Sequence, residues 1–291
     1  MTSEAPFGFL NIDKPRGLTS HDVVARLRRV TGTRKIGHAG TLDPMATGVL
    51  VLCLGAATRL SEYVMASTKH YRAQVLLGVE TDSYDADGQV IATTDASHIT
   101  RADVERILPQ FAGEIAQLPP IYSAIKRDGK KLYELARAGK DVELEPRAVT
   151  IHALELADWS GPSFTLDVIC SPGTYIRSLA HDLGAALSVG AHLTGLVRTA
   201  SGYFTLDNAV SLATILDGAP WEPHVIPPHT ALADWPALGV SDEQALALQQ
   251  GKQIAGAAPG KVIMAYRDDG SLAAVLERRG DLLHPLKVFI R

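Results

Sequence analysis

The chain has 291 residues, 46% hydrophobic and 21% charged, which is enough to bury the core of one large domain and a small one. Its formal net charge of -4 and isoelectric point near 6.2 exclude a protein that holds nucleic acid by bulk positive charge, although local basic surfaces can still do so. The two cysteines lie in apolar runs, and no apolar stretch has membrane-spanning length, so we expect a cytoplasmic protein without a disulfide framework or a membrane anchor.

The N-terminal region is predicted to form a strand, a turn and a helix. Residues 7–13 have the composition of a strand, and the Lys-Pro-Arg-Gly sequence that follows is typical of a turn. Thr19 and Asp22 have the spacing of a helix capping box, and Gly32 marks the end of the apolar periodicity. The polar face of this helix and the residues just after it form a basic surface, which comprises Arg26, Arg28, Arg29, Arg34 and Lys35.

A loop rich in glycine and threonine, residues 37–48, precedes an apolar run at 49–54 that is typical of a fully buried strand. The loop carries Asp43 as its sole acidic residue, and Pro44 restricts Asp43 to extended conformations, so the carboxylate has a defined direction. An isolated Asp-Pro pair usually begins a turn. The constrained loop around this pair instead favours a catalytic carboxylate.

The sequence offers no competing catalytic signature. It contains no phosphate-binding loop, no serine-nucleophile elbow and no His-Glu-x-x-His motif. Asp85 and Asp87 resemble the middle of a calcium loop, but acidic residues are missing at the positions of its first and last ligands. We therefore expect no metal site.

The middle of the chain alternates strands and helices. Residues 71–79 and 89–93 flank an Asp-rich turn, which predicts an antiparallel hairpin. Thr100 caps a predicted helix at 99–111, and a polar, basic insertion follows at 119–148.

Strand patterns resume at 149–159 and 163–170, and apolar residues at helical spacing then predict a helix with Arg177 in its first turn. Residues 216–236 contain five prolines and little periodicity, which is the composition of a linker. Short strand signals then predict a small β-rich domain at 237–291.

The whole pattern predicts an α+β fold. Residues 1–236 would form a catalytic domain on a mostly antiparallel mixed sheet flanked by helices, with an inserted flap at 119–148.

Four motifs in the same order give the sequence a specific resemblance. Gly-His-Ala-Gly-Thr-Leu-Asp-Pro at 37–44, Lys-His-Tyr-Arg-Ala at 69–73, Pro-Pro-Ile-Tyr-Ser-Ala-Ile-Lys at 119–126 and Gly-Thr-Tyr-Ile-Arg at 173–177 resemble the TruB-type tRNA pseudouridine-55 synthases. The similarity covers residues 7–204. It implies the pseudouridine synthase fold and, for the last residues, a PUA-like RNA-binding domain.

The resemblance implies that the enzyme isomerises uridine 55 in the T loop of tRNA, with Asp43 as the essential carboxylate. The target nucleotide would be extruded from its helix, its glycosidic bond broken, and the freed uracil turned and rejoined through C5. Asp43 can act as a nucleophile at C1′ or as a base at C2′, and both remain open. An isomerisation needs neither cofactor nor metal.

Two residues are expected beside Asp43. Tyr71 matches the family's active-site tyrosine and would offer a stacking surface and a hydroxyl able to accept the C5 proton, whereas a strand tyrosine is by default core. Arg177 would bind Asp43 through two hydrogen bonds and keep it ionised by lowering its pKa, the alternative being a solvated surface arginine. Asp85 is expected in the same charge network.

The remaining candidates contact the base or the RNA. Leu196 matches a position that packs against the target base, and Tyr175 lies near it, although both can be ordinary packing. Lys14 would support the active-site loop or contact RNA, and His38 resembles the residue that fills the gap left by the extruded nucleotide. Basic residues of the flap, among them Lys126 and Arg137, would grip phosphates of the T arm or simply form a solvated helix.

We expect a monomer that binds tRNA and has no protein partner. One alternative is a non-catalytic tRNA-binding or tRNA-folding protein with the same surface. Another is a glycosidase-like hydrolase, which needs a second carboxylate about 5 to 10 Å from the first.

Overall fold

The computed structural model describes residues 6–122, 126–127, 130–131 and 144–290, with backbone only at 126–127 and 130–131. Its strands are β1 (Gly8–Lys14), β2 (Ile36–His38), β3 (Thr47–Leu54), β4 (Lys69–Leu77), β5 (Val79–Thr81), β6 (Val90–Thr93), β7 (Gly113–Gln117), β8 (Lys126–Arg127), β9 (Lys130–Lys131), β10 (Arg147–Ser160), β11 (Ser163–Cys170), β12 (Ala191–Ser201), β13 (Phe204–Thr205), β14 (Val210–Ser211), β15 (Val225–Ile226), β16 (Ala237–Gly239), β17 (Ile254–Ala255), β18 (Val262–Tyr266), β19 (Leu272–Arg279) and β20 (Leu282–Val288).

The α-helices in the same part of the chain are α1 (Ser20–Thr31), α2 (Ser61–Met65), α3 (Arg101–Ile107), α4 (Ile176–Ala186), α5 (Leu212–Leu216), α6 (Pro228–Ala231) and α7 (Asp242–Gln249). None of the described helices is long and apolar enough to cross a membrane.

A central mixed sheet organises the larger part of the molecule. Its strands run in the order β14-β1-β3-β12-β4-β11-β10-β7. Three further strands lie outside this order: β2 pairs with β3, β13 with β12 and β15 with β1. The pairs β1–β14 and β3–β12 are parallel, and the other pairs in this sheet are antiparallel. The predicted α+β class with a mostly antiparallel sheet is therefore confirmed.

Strand β3 lies at the centre of this sheet and is buried on both faces. Leu50 and Leu52 belong to a core that also contains Val23 and Leu27 of α1, whereas Val49 and Val51 point into a second core on the opposite face. Double burial explains why the sequence here is continuously apolar rather than alternating. The predicted fully buried strand is confirmed.

Helix α1 begins and ends where the sequence places it. The Thr19 side chain accepts from the Asp22 backbone N–H, the Asp22 carboxylate accepts from the Thr19 backbone N–H, and Gly32 adopts the left-handed conformation with φ 64°. Thr100 and Asp103 form the same reciprocal cap on α3. Local chemistry is sufficient to define these helix ends.

The predicted hairpin is wrong in its first strand. The long strand β4 pairs with β11 and β12, and the partner of β6 is the short strand β5. Gly78 separates β4 from β5 with φ 83°, and a Cβ at this position would lie 2.6 Å from the carbonyl oxygen of Thr94. The hydrophobic pattern runs through Gly78, so the break is visible only in the backbone.

A second sheet at the C-terminal end has the order β16-β18-β19-β20-β17 and packs with α7. The proline-rich segment before it is not a free linker in the described structure. Its strand β15 pairs with β1, and Ala231 and Leu232 are buried in the second core together with Met264 of β18. The prolines lie at the boundaries of short elements, as Pro227 follows β15 and Pro228 begins α6, and the apolar side chains between them still pack.

Candidate active site

The loop that carries Asp43 connects β2 to β3 and is held against helix α1. The Ser20 hydroxyl accepts from the Leu42 N–H at 2.9 Å and donates to the Leu42 carbonyl oxygen at 3.1 Å. On the other side, the Gly17 N–H donates to the Pro44 carbonyl oxygen at 2.8 Å. Both neighbours of Asp43 are thus fixed, which gives the carboxylate a defined position.

Lys14 binds the same loop through hydrogen bonds from its side chain. It is completely buried, and its Nζ donates to the carbonyl oxygens of Leu18 at 2.7 Å, Pro15 at 3.0 Å and Pro44 at 3.4 Å. Burial lowers the pKa of Lys14 to about 8, against the opposing effect of the nearby Asp43 carboxylate. Of the two roles predicted for Lys14, the geometry favours loop support over RNA contact.

Arg177 lies in the first turn of α4 and connects two carboxylates. Its Nε is 3.1 Å from Oδ2 of Asp43, and its Nη1 is 3.3 Å from Oδ2 of Asp85. Two more of its N–H groups donate to the carbonyl oxygens of Ser83 at 3.2 Å and Tyr122 at 2.9 Å. Arg177 thus contacts Asp43 through Nε alone and not through the expected two hydrogen bonds. Its side chain is only 6% exposed, so it is not a solvated surface arginine.

Asp85 belongs to this charge network but not to the pocket wall. It is 4% exposed, and its Oδ1 accepts from the Ser83 hydroxyl at 2.6 Å and from the Asp87 N–H at 3.1 Å. Asp85 therefore lies behind Arg177, where it fixes the guanidinium and cannot contact a substrate in the pocket.

The electrostatic expectation for Asp43 needs correction. We expected Arg177 to lower its pKa, but burial raises the pKa of Asp43 more than Arg177 lowers it, and the charge of Asp85 raises it further. The Asp43 side chain remains 37% exposed. It lies at the floor of a concave pocket, where protein surrounds it on most sides and weakens its hydration.

The pocket above Asp43 has a volume of about 290 Å³, at the lower end for small-molecule sites. It brings together the predicted residues Asp43, Tyr71, Tyr175, Arg177 and Leu196. Leu196 is 9% exposed and Tyr71 is half-buried, so one apolar and one aromatic side chain face the carboxylate. Burial raises the pKa of Tyr71, whose hydroxyl is therefore neutral near pH 7.

Tyr175 occupies the N-cap position of α4. The Gln117 side chain of β7 accepts from its backbone N–H at 2.8 Å and donates to its carbonyl oxygen at 3.0 Å. Gln117 thereby positions the start of the helix that carries Arg177. No local sequence pattern predicts this contact, because the two residues are far apart in the chain.

His38 does not line the pocket. It pairs with Leu52 in the sheet, packs edge-on against His21 at 5.1 Å between ring centroids, and has a pKa lowered to about 4, mainly by burial. Its ring is neutral at pH 7. A contact with RNA outside the pocket remains a prediction. Arg137 and the side chain of Lys126 lie outside the described residues.

Two basic residues that line the pocket were missing from the predicted site. Lys69 stands two positions before Tyr71 on β4, and Arg198 stands two positions after Leu196 on β12. Since alternate residues of a strand face the same side, each could have been inferred from its predicted neighbour.

The arrangement offers a single carboxylate facing an apolar and aromatic slot. Asp43 is the one acidic residue among the described residues that line the pocket, which disfavours a two-carboxylate hydrolase. In the described part of the chain, no three His, Cys, Asp or Glu side chains are grouped so that they could hold a metal ion.

Two family models match the chain: "TruB family pseudouridylate synthase (N terminal domain)" at residues 28–176 and "tRNA pseudouridylate synthase B C-terminal domain" at residues 177–226. A tRNA pseudouridine synthase B from Symbiobacterium thermophilum is 52% identical over 84% of this chain and 82% of its own length. A protein of the same name from Dehalococcoides mccartyi is 42% identical over 98% of this chain and 97% of its own length.

Solved structures agree with these matches. The chain in "Crystal Structure of a Cbf5-Nop10-Gar1 Complex" is 27% identical, with a TM-score of 0.77 over 98% of this chain and 85% of that chain. The chain in "Structure of H/ACA RNP bound to a substrate RNA containing 2'-deoxyuridine" is 25% identical, with a TM-score of 0.75 over 98% and 86%. The resemblance stated from the motifs is confirmed: the chain belongs to the TruB family of tRNA pseudouridine synthases and isomerises uridine in tRNA to pseudouridine.

Proposed function

We propose that the target is uridine 55 in the T loop of tRNA and that Asp43 is the essential carboxylate. The observation that carries this proposal is the position of Asp43, held by Arg177 at the floor of a pocket that Tyr71 and Leu196 also line. A pocket of this size accommodates one extruded nucleotide and no part of a duplex.

In the proposed reaction the extruded uracil stacks on Tyr71 while the ribose faces Asp43. The carboxylate either attacks C1′ or removes the proton from C2′, and the bond between C1′ and N1 breaks. The uracil turns and its C5 bonds to C1′, while either the ester bond between Asp43 and C1′ breaks or Asp43 returns the proton to C2′, so that the carboxylate is regenerated. The net reaction moves one proton from C5 to N1. Because these protons balance, the isomerisation requires neither an external oxidant nor a cofactor.

The same proposal covers the domains, the oligomeric state and the location of the protein. Residues 1–236 form the catalytic domain and 237–291 a PUA-like RNA-binding domain, for which the separate C-terminal sheet gives support. The protein is also proposed to act as a monomer. The tRNA substrate and the two unpaired, buried cysteines support a cytoplasmic location.

The test is incubation of the protein with an unmodified tRNA transcript, followed by chemical mapping of pseudouridine. We expect product at uridine 55 with the wild-type protein and a loss of several orders of magnitude in turnover with Asp43→Asn, while tRNA affinity changes little. A transcript with cytidine at position 55 serves as the control.

The possible outcomes separate the alternatives. Product at another uridine would refute the proposed target, and near-normal turnover by Asp43→Asn would refute the proposed residue. Normal tRNA binding by the wild-type protein without any product would support the non-catalytic alternative, which the comparisons do not favour.

A further inference from the structure

Arg198 is a buried cation in the wall of the pocket. It is 2% exposed, and its guanidinium donates to three carbonyl oxygens, those of Val49 at 2.7 Å, Gly40 at 3.1 Å and Thr41 at 3.3 Å. No carboxylate of the described residues forms an ion pair with it. Burying a charge without a counter-ion is costly, and an apolar side chain would fill this position at a lower cost.

The same residue closes both ends of the loop that carries Asp43. Its side chain holds the carbonyls of Gly40 and Thr41 at the beginning of the loop, and its backbone pairs with Gly48 at the end. The approach at Gly48 is so close that a Cβ there would lie 2.3 Å from the Arg198 carbonyl oxygen. Arg198 therefore contacts the loop both where it begins and where it ends.

Arg198 also faces Tyr71. The two residues are direct partners in the pairing of β12 with β4, and both line the pocket. Burial raises the pKa of Tyr71 and the charge of Asp43 adds to this effect, whereas the Arg198 charge acts to lower that pKa. Lys69, on the same face of β4, has its pKa lowered to about 8 by burial and then by Arg198.

We propose that Arg198 is a positioning residue that holds the Asp43 loop and the Tyr71 hydroxyl in one fixed relation. The inference rests on the proposed roles of Asp43 and Tyr71. Arginine suits this task because its planar guanidinium carries donors on three separate nitrogen atoms, whereas the three donors of a lysine share one nitrogen atom.

The first test compares Arg198→Met and Arg198→Lys with the wild-type protein in turnover of tRNA, with kcat and KM measured separately. We expect Arg198→Met to lower kcat about a hundredfold, the typical effect of a displacement of about 1 Å in a site, while KM changes little. Arg198→Lys should recover part of the loss because it keeps the charge but not the fork. The control is Arg72→Met. Arg72 follows Tyr71 in the chain but is exposed, so its loss should leave kcat unchanged.

A second test needs no turnover and so separates this inference from the proposed function. The pKa of Tyr71 in Arg198→Met is measured by titrating the phenolate absorbance. The signal of the double variant Arg198→Met/Tyr71→Phe is subtracted, so that only the contribution of Tyr71 remains. We expect this pKa to be higher than the Tyr71 pKa of the wild-type protein, which is obtained by subtracting the signal of Tyr71→Phe from that of the wild type. If Arg198→Met does not fold, the same subtraction on Arg198→Lys should give an unchanged Tyr71 pKa with a reduced kcat.

Two results would overturn the inference. An unchanged Tyr71 pKa in folded Arg198→Met would show that Arg198 does not act on the hydroxyl. A loss of activity that appears only as raised KM, or that matches the loss of folded protein, would assign Arg198 a binding or purely structural role.

Discussion

Asp43 shows how burial and ion pairing compete at one residue. Arg177 stabilises its ionised form, but it divides its donors between Asp43, Asp85 and two carbonyl groups. The desolvation of a carboxylate at the floor of a pocket therefore outweighs the partial ion pair, and the pKa of Asp43 is raised. A carboxylate that is poorly solvated yet still ionised is a more reactive nucleophile or base than one in water.

This balance predicts the pH dependence of Asp85→Asn. The reaction needs ionised Asp43, so activity is present above the Asp43 pKa and is lost as the pH falls through it. Asp85 raises that pKa by its negative charge, and neutral Asn would remove this effect. We expect the acid limb of the kcat profile to move to lower pH, while kcat on the plateau falls by about tenfold to a hundredfold because Arg177 loses one acceptor.

The matched control is Asp87→Asn, two positions away. Asp87 is exposed and is the weakest of the contributors that raise the Asp43 pKa, so its profile should remain close to wild type. An acid limb that stays in place or moves to higher pH in Asp85→Asn would contradict the charge network described here.

Helix α1 contributes to both the core and the surface of the protein. Its capping box fixes where it starts, its apolar face packs on the sheet, and its exposed face carries the basic surface. Arg28 donates to the Ile36 carbonyl oxygen at 2.7 Å, and no described carboxylate forms an ion pair with any member of the surface. The surface leads directly into β2 and the Asp43 loop, so it is well placed to bind phosphates near the target nucleotide.

The double variant Arg26→Gln/Arg29→Gln tests this surface. We expect weaker tRNA binding, and a plot of log Kd against log salt concentration whose slope decreases by about one for each cation removed. Measurements of Kd by filter binding at several salt concentrations give this slope for both proteins.

Helix α3 provides the control in Arg101→Gln/Arg106→Gln. Those two arginines are also exposed, but they are paired with Glu105 and Asp103. The control should bind tRNA with the wild-type slope. Equal slopes for all three proteins would exclude the α1 surface from the RNA interface.

At the level of the whole molecule, the two sheets are joined through a common core. Met264 and Val275 of the C-terminal sheet pack in the same cluster as Phe9 and Val51 of the central sheet. Ile263, the neighbour of Met264, points instead into the separate core of the C-terminal sheet. Strand β18 thus contributes one face to each core, so we expect the two parts to unfold together.

The variant Met264→Ala tests this coupling. It should lower the free energy of unfolding by about 2–5 kcal/mol, the usual cost of truncating a buried residue, and should keep one cooperative transition in calorimetry. Leu246→Ala, which truncates a side chain that is 54% exposed on α7, should change stability by less than about 0.5 kcal/mol. Two separate transitions, of which Met264→Ala shifts only one, would contradict a shared core.

Much of this protein follows from local sequence. The caps of α1 and α3, the doubly buried strand β3 and the Asp43 loop are predicted because their signals lie within a few neighbouring residues. The family follows from four short motifs. The long strand β4 was predicted to pair with the wrong partner because its hydrophobic pattern continues through Gly78 into β5.

Sequence signals alone predict the caps of α1 and α3, the doubly buried strand β3, the family and the grouping of Asp43, Tyr71 and Arg177 in one site. Three features arise only from the folded arrangement: the ion pair of Arg177 with Asp85, the raised pKa of Asp43 and the contacts of Arg198 with the Asp43 loop. The reason is physical: capping and periodicity act within a few residues of the chain. Desolvation and ion pairing depend on every group that folding brings within a few ångströms, regardless of its distance in sequence.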